Sequence, residues 1–296
     1  MTLRDTRPLY ARILYYSMII IGPSLVFLSS GCVSGIVFYL IIYPFFSSEN
    51  KIIVLIAILF TIIIFIPWAM ANGSLIYSAI IDPGSTYFVL NSPQYRDSIY
   101  INSQLLEDLP KCGKCGLPKP PRAHHCSTCG RCHLKMDHHC AVIGKCVALR
   151  NQQPFMVACI WATLSTFIDV VLLGIGLLFN IVEKDEKLRV FIFALLTFVL
   201  FDLFYNFWKD SMNRIKINAT TIELLFSNHY TNPFDMGEEE NIFQVFGDDM
   251  FRFWLPHITD FCGFEWATKE YAGLLETTQF DGMHRHELLA TSTPFI

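Results

Sequence analysis

Between Cys112 and Cys146 the sequence reads CGKCGLPKPPRAHHCSTCGRCHLKMDHHCAVIGKC, and it gathers seven of the chain's ten cysteines and five of its nine histidines. Zinc takes four ligands in a tetrahedron, from thiolate sulfur and imidazole nitrogen. The stretch offers them as Cys112-x2-Cys115, then His125-Cys126-x2-Cys129-x2-Cys132, then His139 and Cys146. Six cysteines and two histidines make eight ligands, enough for two closed sites. A segment this short and this poor in apolar residues cannot fold by hydrophobic burial alone, so metal binding is expected to supply its folding free energy. Such spacing beside histidines fits metal ligation in a reducing compartment better than a secreted disulfide framework.

The count leaves Cys140 over. A cysteine nucleophile needs a base or a positive neighbour that favours the thiolate. His138 is placed to be that base. Asp137 is placed to hold the other ring nitrogen and stabilise the imidazolium that forms. The residues alone leave one alternative open, in which Cys140 is a ligand and another cysteine is spare.

The elements that must position these groups are apolar helices. Hydrophobic residues make up 53% of the 296 and charged residues only 16%, which argues against a soluble protein. About 20 apolar residues cross a bilayer core as a helix. Residues 13–48 carry no charge. Gly22-Pro23 is read as a break, with Ile13–Ile21 as an interfacial or re-entrant lead-in and Ser24–Phe46 as the first span. After the polar turn Ser47–Lys51, Ile52–Ala71 is the second span, Phe155–Ile181 the third and Val190–Phe207 the fourth. The polar, basic start MTLRDTRPLYAR and the long apolar run behind it do not read as a cleavable signal peptide.

The expected fold is an α-helical integral membrane protein: four transmembrane helices with a zinc-binding cysteine-rich domain on the cytosolic side between the second and third. The division is 1–72 (N-terminal segment and spans one and two), 73–151 (loop, with the cysteine-rich module at 111–151), 152–210 (spans three and four) and 211–296 (tail). From Lys111 to Arg150 eight Lys/Arg stand against one acid, Asp137. Basic residues also flank the N-terminus (Arg4, Arg7, Arg12) and follow the fourth span in KDSMNRIK. The positive-inside rule therefore puts both termini and the insert in the cytosol, within an endomembrane or the plasma membrane. The net charge of −4 does not suggest nucleic acid.

Two acids lie inside the spans, Asp169 and Asp202. Such carboxylates face a polar interior or bond another helix, and the helix-packing role is favoured for both. Ala158, Ala162 and Ser165 recur at helical spacing in the third span, where they leave room for an apolar chain or allow close helix contact. Phe251, Phe253 and Trp254 have two open placements, at headgroup level or in a small satellite core. The last residues, ATSTPFI, are expected to be disordered.

At Asp137-His138-His139-Cys140 the chain resembles the DHHC protein S-acyltransferase (palmitoyltransferase) family. The likeness extends to every metal-ligand position of Cys112–Cys146 and to Asn151 and Phe155. It also takes in a DPG motif at Asp82–Gly84, a TTxE motif at Thr220–Glu223, and a tail motif running from Asn241 to Phe246-Gly247. These anchors cover roughly residues 20 to 250. The resemblance implies that Cys140 is acylated from acyl-CoA, with His138 as base and Asp137 orienting it. It implies one structural zinc on Cys112, Cys115, His125 and Cys132, and a second on Cys126, Cys129, His139 and Cys146. It places Lys119, Arg122 and His124 at the CoA phosphates and makes Asn241 an anchor of the tail. It also implies membrane-associated client proteins with cytosolic cysteines. The chain departs from the family at Ala141-Val142, where Pro-Trp is usual, at Lys145, where asparagine is usual, and at Ala148, where glycine is usual.

The expected chemistry is a two-step acyl transfer through an acyl-cysteine. Clients would carry their cysteines near the membrane or beside another lipid anchor, because one lipid gives only transient attachment. Two other readings compete. A membrane-anchored zinc module that binds proteins, or acts as a RING-like ubiquitin ligase, explains eight ligands but not Cys140. A channel or transporter is suggested only by Asp169 and Asp202.

Overall fold

The computed structural model describes residues 9–95, 101, 103–225, 232–259 and 261–267. Arg4, Arg7 and the final ATSTPFI lie outside them. Among the described residues four helices are long and apolar enough to cross a membrane: Ile19–Ser47, Lys51–Ile80, Gln152–Leu178 and Lys184–Lys216.

The first, α1 (Leu9–Val37), runs on through a π-helical turn at Phe38–Ile42 and a 3-10 turn at Tyr43–Ser47. The break expected at Gly22-Pro23 is absent, and Pro23 sits inside the helix. Proline is tolerated in membrane helices. The Ser24 hydroxyl donates to the Ile20 carbonyl at 2.8 Å. Gly22 serves a close approach instead: a Cβ there would lie 2.2 Å from the carbonyl oxygen of Val142.

Helix α2 (Lys51–Ile80) starts on Asn50, whose side chain accepts from the Ile52 N–H at 2.9 Å. It continues nine residues past the expected end at Ala71, so the loop proper begins at Ile81. Thirty residues rise about 45 Å, more than the hydrocarbon core requires. The surplus carries a polar stripe, Asn72, Ser74 and Ser78, buried against neighbours. Short helices α3 (Thr86–Asn91) and α4 (Ser103–Asp108) lead to the cysteine-rich module. That module is built on two antiparallel hairpins, β1 (His124–Cys126) with β2 (Arg131–His133), and β3 (His138–Cys140) with β4 (Lys145–Val147).

Helix α5 (Gln152–Leu178) packs between α2 and α6 (Lys187–Lys216). Asp169 is buried in α5, where it accepts from the Ser34 hydroxyl of α1 at 2.9 Å, an interhelix packing bond. Asp202 stays on its own helix, bonded to Asn206. After α6 come α7 (Thr221–Leu225) and α8 (Glu238–Phe246). The tail folds back on the module: Met236, Cys262, Phe264 and Trp266 share one core with Val89, Ala123, Leu134 and Leu149. Insert and tail therefore occupy the same end of the bundle. Asn241, fully buried, secures the tail by donating to the Lys216 carbonyl at the end of α6 and accepting from the Met236 N–H. The aromatic turn divides. Phe253 packs on Phe246 in a small core, Trp254 stacks edgewise on Trp161 of α5, and Phe251 stays exposed.

Candidate active site and metal centres

Side chains alternate between the two faces of a strand. In β1 that puts His125 and Cys126 on opposite faces, so adjacent residues serve different metal sites. Cross-strand partners share a face, and the register pairs His125 with Cys132 and His139 with Cys146. The outcome is two interleaved sets, Cys112, Cys115, His125 and Cys132, and Cys126, Cys129, His139 and Cys146, each with its ligand atoms within 4.8 Å of one another. These are the groupings that the resemblance implies.

Both sets fit zinc. A tetrahedron with 2.3 Å metal–sulfur arms has edges of about 3.8 Å. The Cys115–Cys132 and Cys129–Cys146 sulfur pairs are each 3.6 Å apart. Cys126, Cys129 and Cys146 lie 3.5, 3.4 and 3.7 Å from His139 Nδ1. The sulfurs stand too far apart for disulfides. The turns that close these knuckles end on glycine in the left-handed region, Gly130 at φ 69° and Gly144 at φ 65°.

The same alternation isolates Cys140, which belongs to neither set. In β3, His139 faces the second metal set while His138 and Cys140 share the other face. That face meets the helices: Cys140 packs with Leu75 and Ala79 of α2 and with Phe155, Ala158 and Cys159 of α5. His138 lies edgewise on Phe155 at 5.9 Å between ring centroids. Its Nδ1 donates to Asp137 Oδ2 at 2.7 Å, which leaves Nε2 for the thiol. A cleft beside the imidazole is lined by Asp137, Gln152, Phe155, Ser211 and Arg214.

Thr221 completes the arrangement, and the sequence reading gave it no role. Its N–H donates to Asp137 Oδ1 at 2.7 Å and its hydroxyl to Oδ2 at 3.0 Å. Thr220 and Glu223 form a capping box around it: the Glu223 N–H donates to the Thr220 hydroxyl and the Thr220 N–H to the Glu223 carboxylate. The TTIE stretch thus starts α7 and clamps Asp137 in one turn. The pattern of a threonine three residues before a glutamate is a capping signal readable in a sequence.

Charge follows contact. Burial works against ionised Asp137, but hydrogen bonds with His138 and Thr221 outweigh it and hold the carboxyl below its usual value. Burial likewise opposes the imidazolium of His138, yet the bonds to Asp137 and Cys140 raise it to about 9. Burial pushes the Cys140 thiol up, while His138 and the backbone N–H groups of Ile143 and Val142 bring it below the ordinary thiol value.

The three basic residues expected at the CoA phosphates part company. Lys119 and His124 are half-buried neighbours at the module surface. Arg122 is not available to a phosphate, because its side chain is fully buried. The guanidinium donates to both carboxylate oxygens of Glu223 at 2.8 and 3.0 Å, and to the Asn218 side chain and carbonyl at 2.9 and 2.6 Å. Its central carbon lies over the Phe234 and Trp266 rings, 4.5 and 5.0 Å from their centroids. Planar donors and ring stacking suit arginine and not lysine, so Arg122→Lys is expected to cost about 3 kcal/mol, the range for breaking a buried pair. Thermal unfolding and earlier proteolytic release of the tail would register it.

The same pair makes the dock acid-sensitive. Burial alone would raise the Glu223 pKa, but bonds to Arg122 and Thr220 depress it. A depressed carboxyl stabilises the fold fully above its unfolded pKa and loses that contribution as pH falls through the folded one. Tail protection should therefore fade below the ordinary glutamate range, and Glu223→Gln should flatten that dependence.

Residues 107–228 match the family model described as DHHC palmitoyltransferase. The chain is 30% identical over 158 residues to "Probable protein S-acyltransferase 13" of Arabidopsis thaliana, covering 50% of this chain and 52% of that protein. It is 29% identical over 153 residues to "Palmitoyltransferase ZDHHC15" of Rattus norvegicus, covering 49% and 45%. It is 34% identical over 154 residues to "Palmitoyltransferase ZDHHC20-A" of Danio rerio, covering 49% and 43%. The chain thus spans about half the length of the curated relatives it matches.

Proposed function

We propose that this chain, which carries a domain of the DHHC palmitoyltransferase family across residues 107–228, is a protein S-acyltransferase acting through an acyl-Cys140 intermediate. The observation that carries the reading is the division of β3. One face supplies His139 to a metal set already complete without Cys140. The other sets Cys140 beside His138, against the ends of the apolar helices.

His138, held by Asp137, takes the proton of Cys140. The thiolate attacks the carbonyl carbon of the acyl-CoA thioester. The bond to the CoA sulfur breaks, and the imidazolium returns its proton to the departing thiolate. In the second step a client cysteine gives its proton to His138 and attacks the acyl-cysteine, restoring Cys140. One thioester is exchanged for another of similar energy, so no energy source is needed. Backbone N–H groups of Val142 and Ile143 help His138 favour the thiolate over the thiol. Zinc bound to the two sets would hold the hairpins in place, with full coordination spheres and no open position.

The membrane accounts for the placement. An acyl chain belongs in hydrocarbon and CoA in water, and a nucleophile where the module meets α2 and α5 serves both. Lys119 and His124 are the residues proposed to receive CoA phosphates. Both termini are placed in the cytosol, and clients are membrane-associated proteins with cytosolic cysteines. The test is purified protein with labelled acyl-CoA. Hydroxylamine-sensitive label should appear on Cys140 and then move to an added thiol acceptor. Label that never reaches Cys140 would leave a membrane-anchored interaction module as the better reading.

A further inference from the structure

A buried lysine ties the hairpin bearing Cys140 to the end of α2. Lys145 stands directly across from Cys140 in the β3–β4 register, so the two side chains leave the hairpin on one face. That face meets α2 in two places. Cys140 packs among Leu75 and Ala79. The Lys145 Nζ donates to the carbonyls of Ile80 and Ile81, at 3.4 and 3.3 Å. A helix leaves its last carbonyls without internal partners, and the negative end of its dipole favours a cation. The lysine is only 8% exposed, so the attraction is little screened.

Much of the remaining contact around the sulfur is apolar and non-directional. The turn after Cys140 runs through Ala141 and Val142, both exposed to solvent. Its close neighbour across the bundle is the bare backbone of Gly22. The turn's Ile143 is fully buried beside Cys140 against Leu75, Ala79 and Phe155, an apolar contact that by itself is non-directional and does not fix the register along α2.

We propose that Lys145 fixes the depth of the Cys140 sulfur along α2 and thereby sets which acyl-chain length the site prefers. It is a positioning residue, and the proposal rests on the acyl-transfer reading above. An acyl chain attached at Cys140 extends from that sulfur along the apolar surfaces of α2 and α5. Where its methyl end stops depends on where the sulfur starts. Two methylenes buried or left out change the preference by about tenfold. A sulfur free to ride along α2 would accept neighbouring lengths alike.

The test uses the full-length, zinc-loaded protein in lipid nanodiscs with saturated acyl-CoAs from myristoyl to arachidoyl. Label on Cys140 and zinc per chain are measured for the unmodified protein, Lys145→Arg, Lys145→Met and Lys145→Asn. Arginine keeps a long cation, methionine keeps length without charge, and asparagine is polar but too short. The unmodified protein and Lys145→Arg should prefer one length. In Lys145→Met and Lys145→Asn the ratio between adjacent even-numbered chains should fall from about tenfold toward unity, with zinc retained. The proposal is overturned if either variant keeps zinc and the original length profile. A uniform loss across all lengths, loss of zinc in both variants, or an unmodified protein indifferent to length would overturn it too. An unmodified protein that takes no label on Cys140 would instead overturn the acyl-transfer reading, and this inference with it.

Discussion

Serine in place of Cys140 is expected to abolish acyl labelling while leaving both metal sets filled. The loss should be on the order of a thousandfold or more, as when the nucleophile of another acyl-transfer enzyme is removed. Serine is nearly isosteric, so the packing among Leu75, Ala79 and Phe155 should survive. His138 brings a thiol below its ordinary pKa, but a hydroxyl lies far out of its reach as a ground-state anion. The measurement is paired: hydroxylamine-sensitive label per chain, and zinc per chain by metal analysis. Zinc falling together with label would mean that Cys140 is a ligand, and the assignment of its role would be lost. His138→Ala should give a smaller but still large loss, since the thiol then depends on water as base.

The second large effect is on folding. Structural zinc contributes about 10–16 kcal/mol to small metal-built modules, more than most domains have in total. Cys129→Ser removes a buried sulfur that lies 3.4 Å from His139 and 3.6 Å from Cys146. The β3–β4 pairing should then open, with broad proteolytic cleavage between Ala123 and Leu149 and no label on Cys140. The bundle should hold, because α2, α5 and α6 pack on one another through their own apolar faces. A strong chelator on the unmodified protein should reproduce this pattern, and added zinc should reverse it. A chelated protein that kept its protection would show that the core shared with the tail suffices.

Much of this was readable before any coordinates. Apolar runs of sufficient length marked the four helices long enough to cross a membrane, and counting ligands left one cysteine over, with Cys140 the candidate beside His138. What failed did so for physical reasons. Gly22-Pro23 reads as a break because proline lacks an N–H and glycine lacks a side chain, yet the helix runs through both and Gly22 lies against another loop. The second span is expected to end at Ala71, before polar residues, but those residues are buried, with Asn72 bonded to Ser30 and Trp68, and Ser78 to Asn151. The resemblance puts Arg122 at the CoA phosphates, and no sequence pattern reveals its carboxylate partner 101 positions away. The division of ligands between two metals could not come from spacing alone. It follows from strand alternation in β1 and β3, and three-residue strands leave no periodic signal to read.

The clamp on Asp137 comes from beyond the fourth long helix, while the metal ligands, His138 and Cys140 all come from before the third. A protein cut or prematurely ended between Lys216 and Thr221 would keep every metal ligand, His138 and Cys140. It would lose both hydrogen bonds from Thr221 and the Glu223 counter-ion of Arg122. Such a fragment would look intact to any survey of its cysteine-rich stretch and still lack the group that aims its base. Shortened splice forms or proteolytic products ending there should therefore be assayed before they are counted as competent.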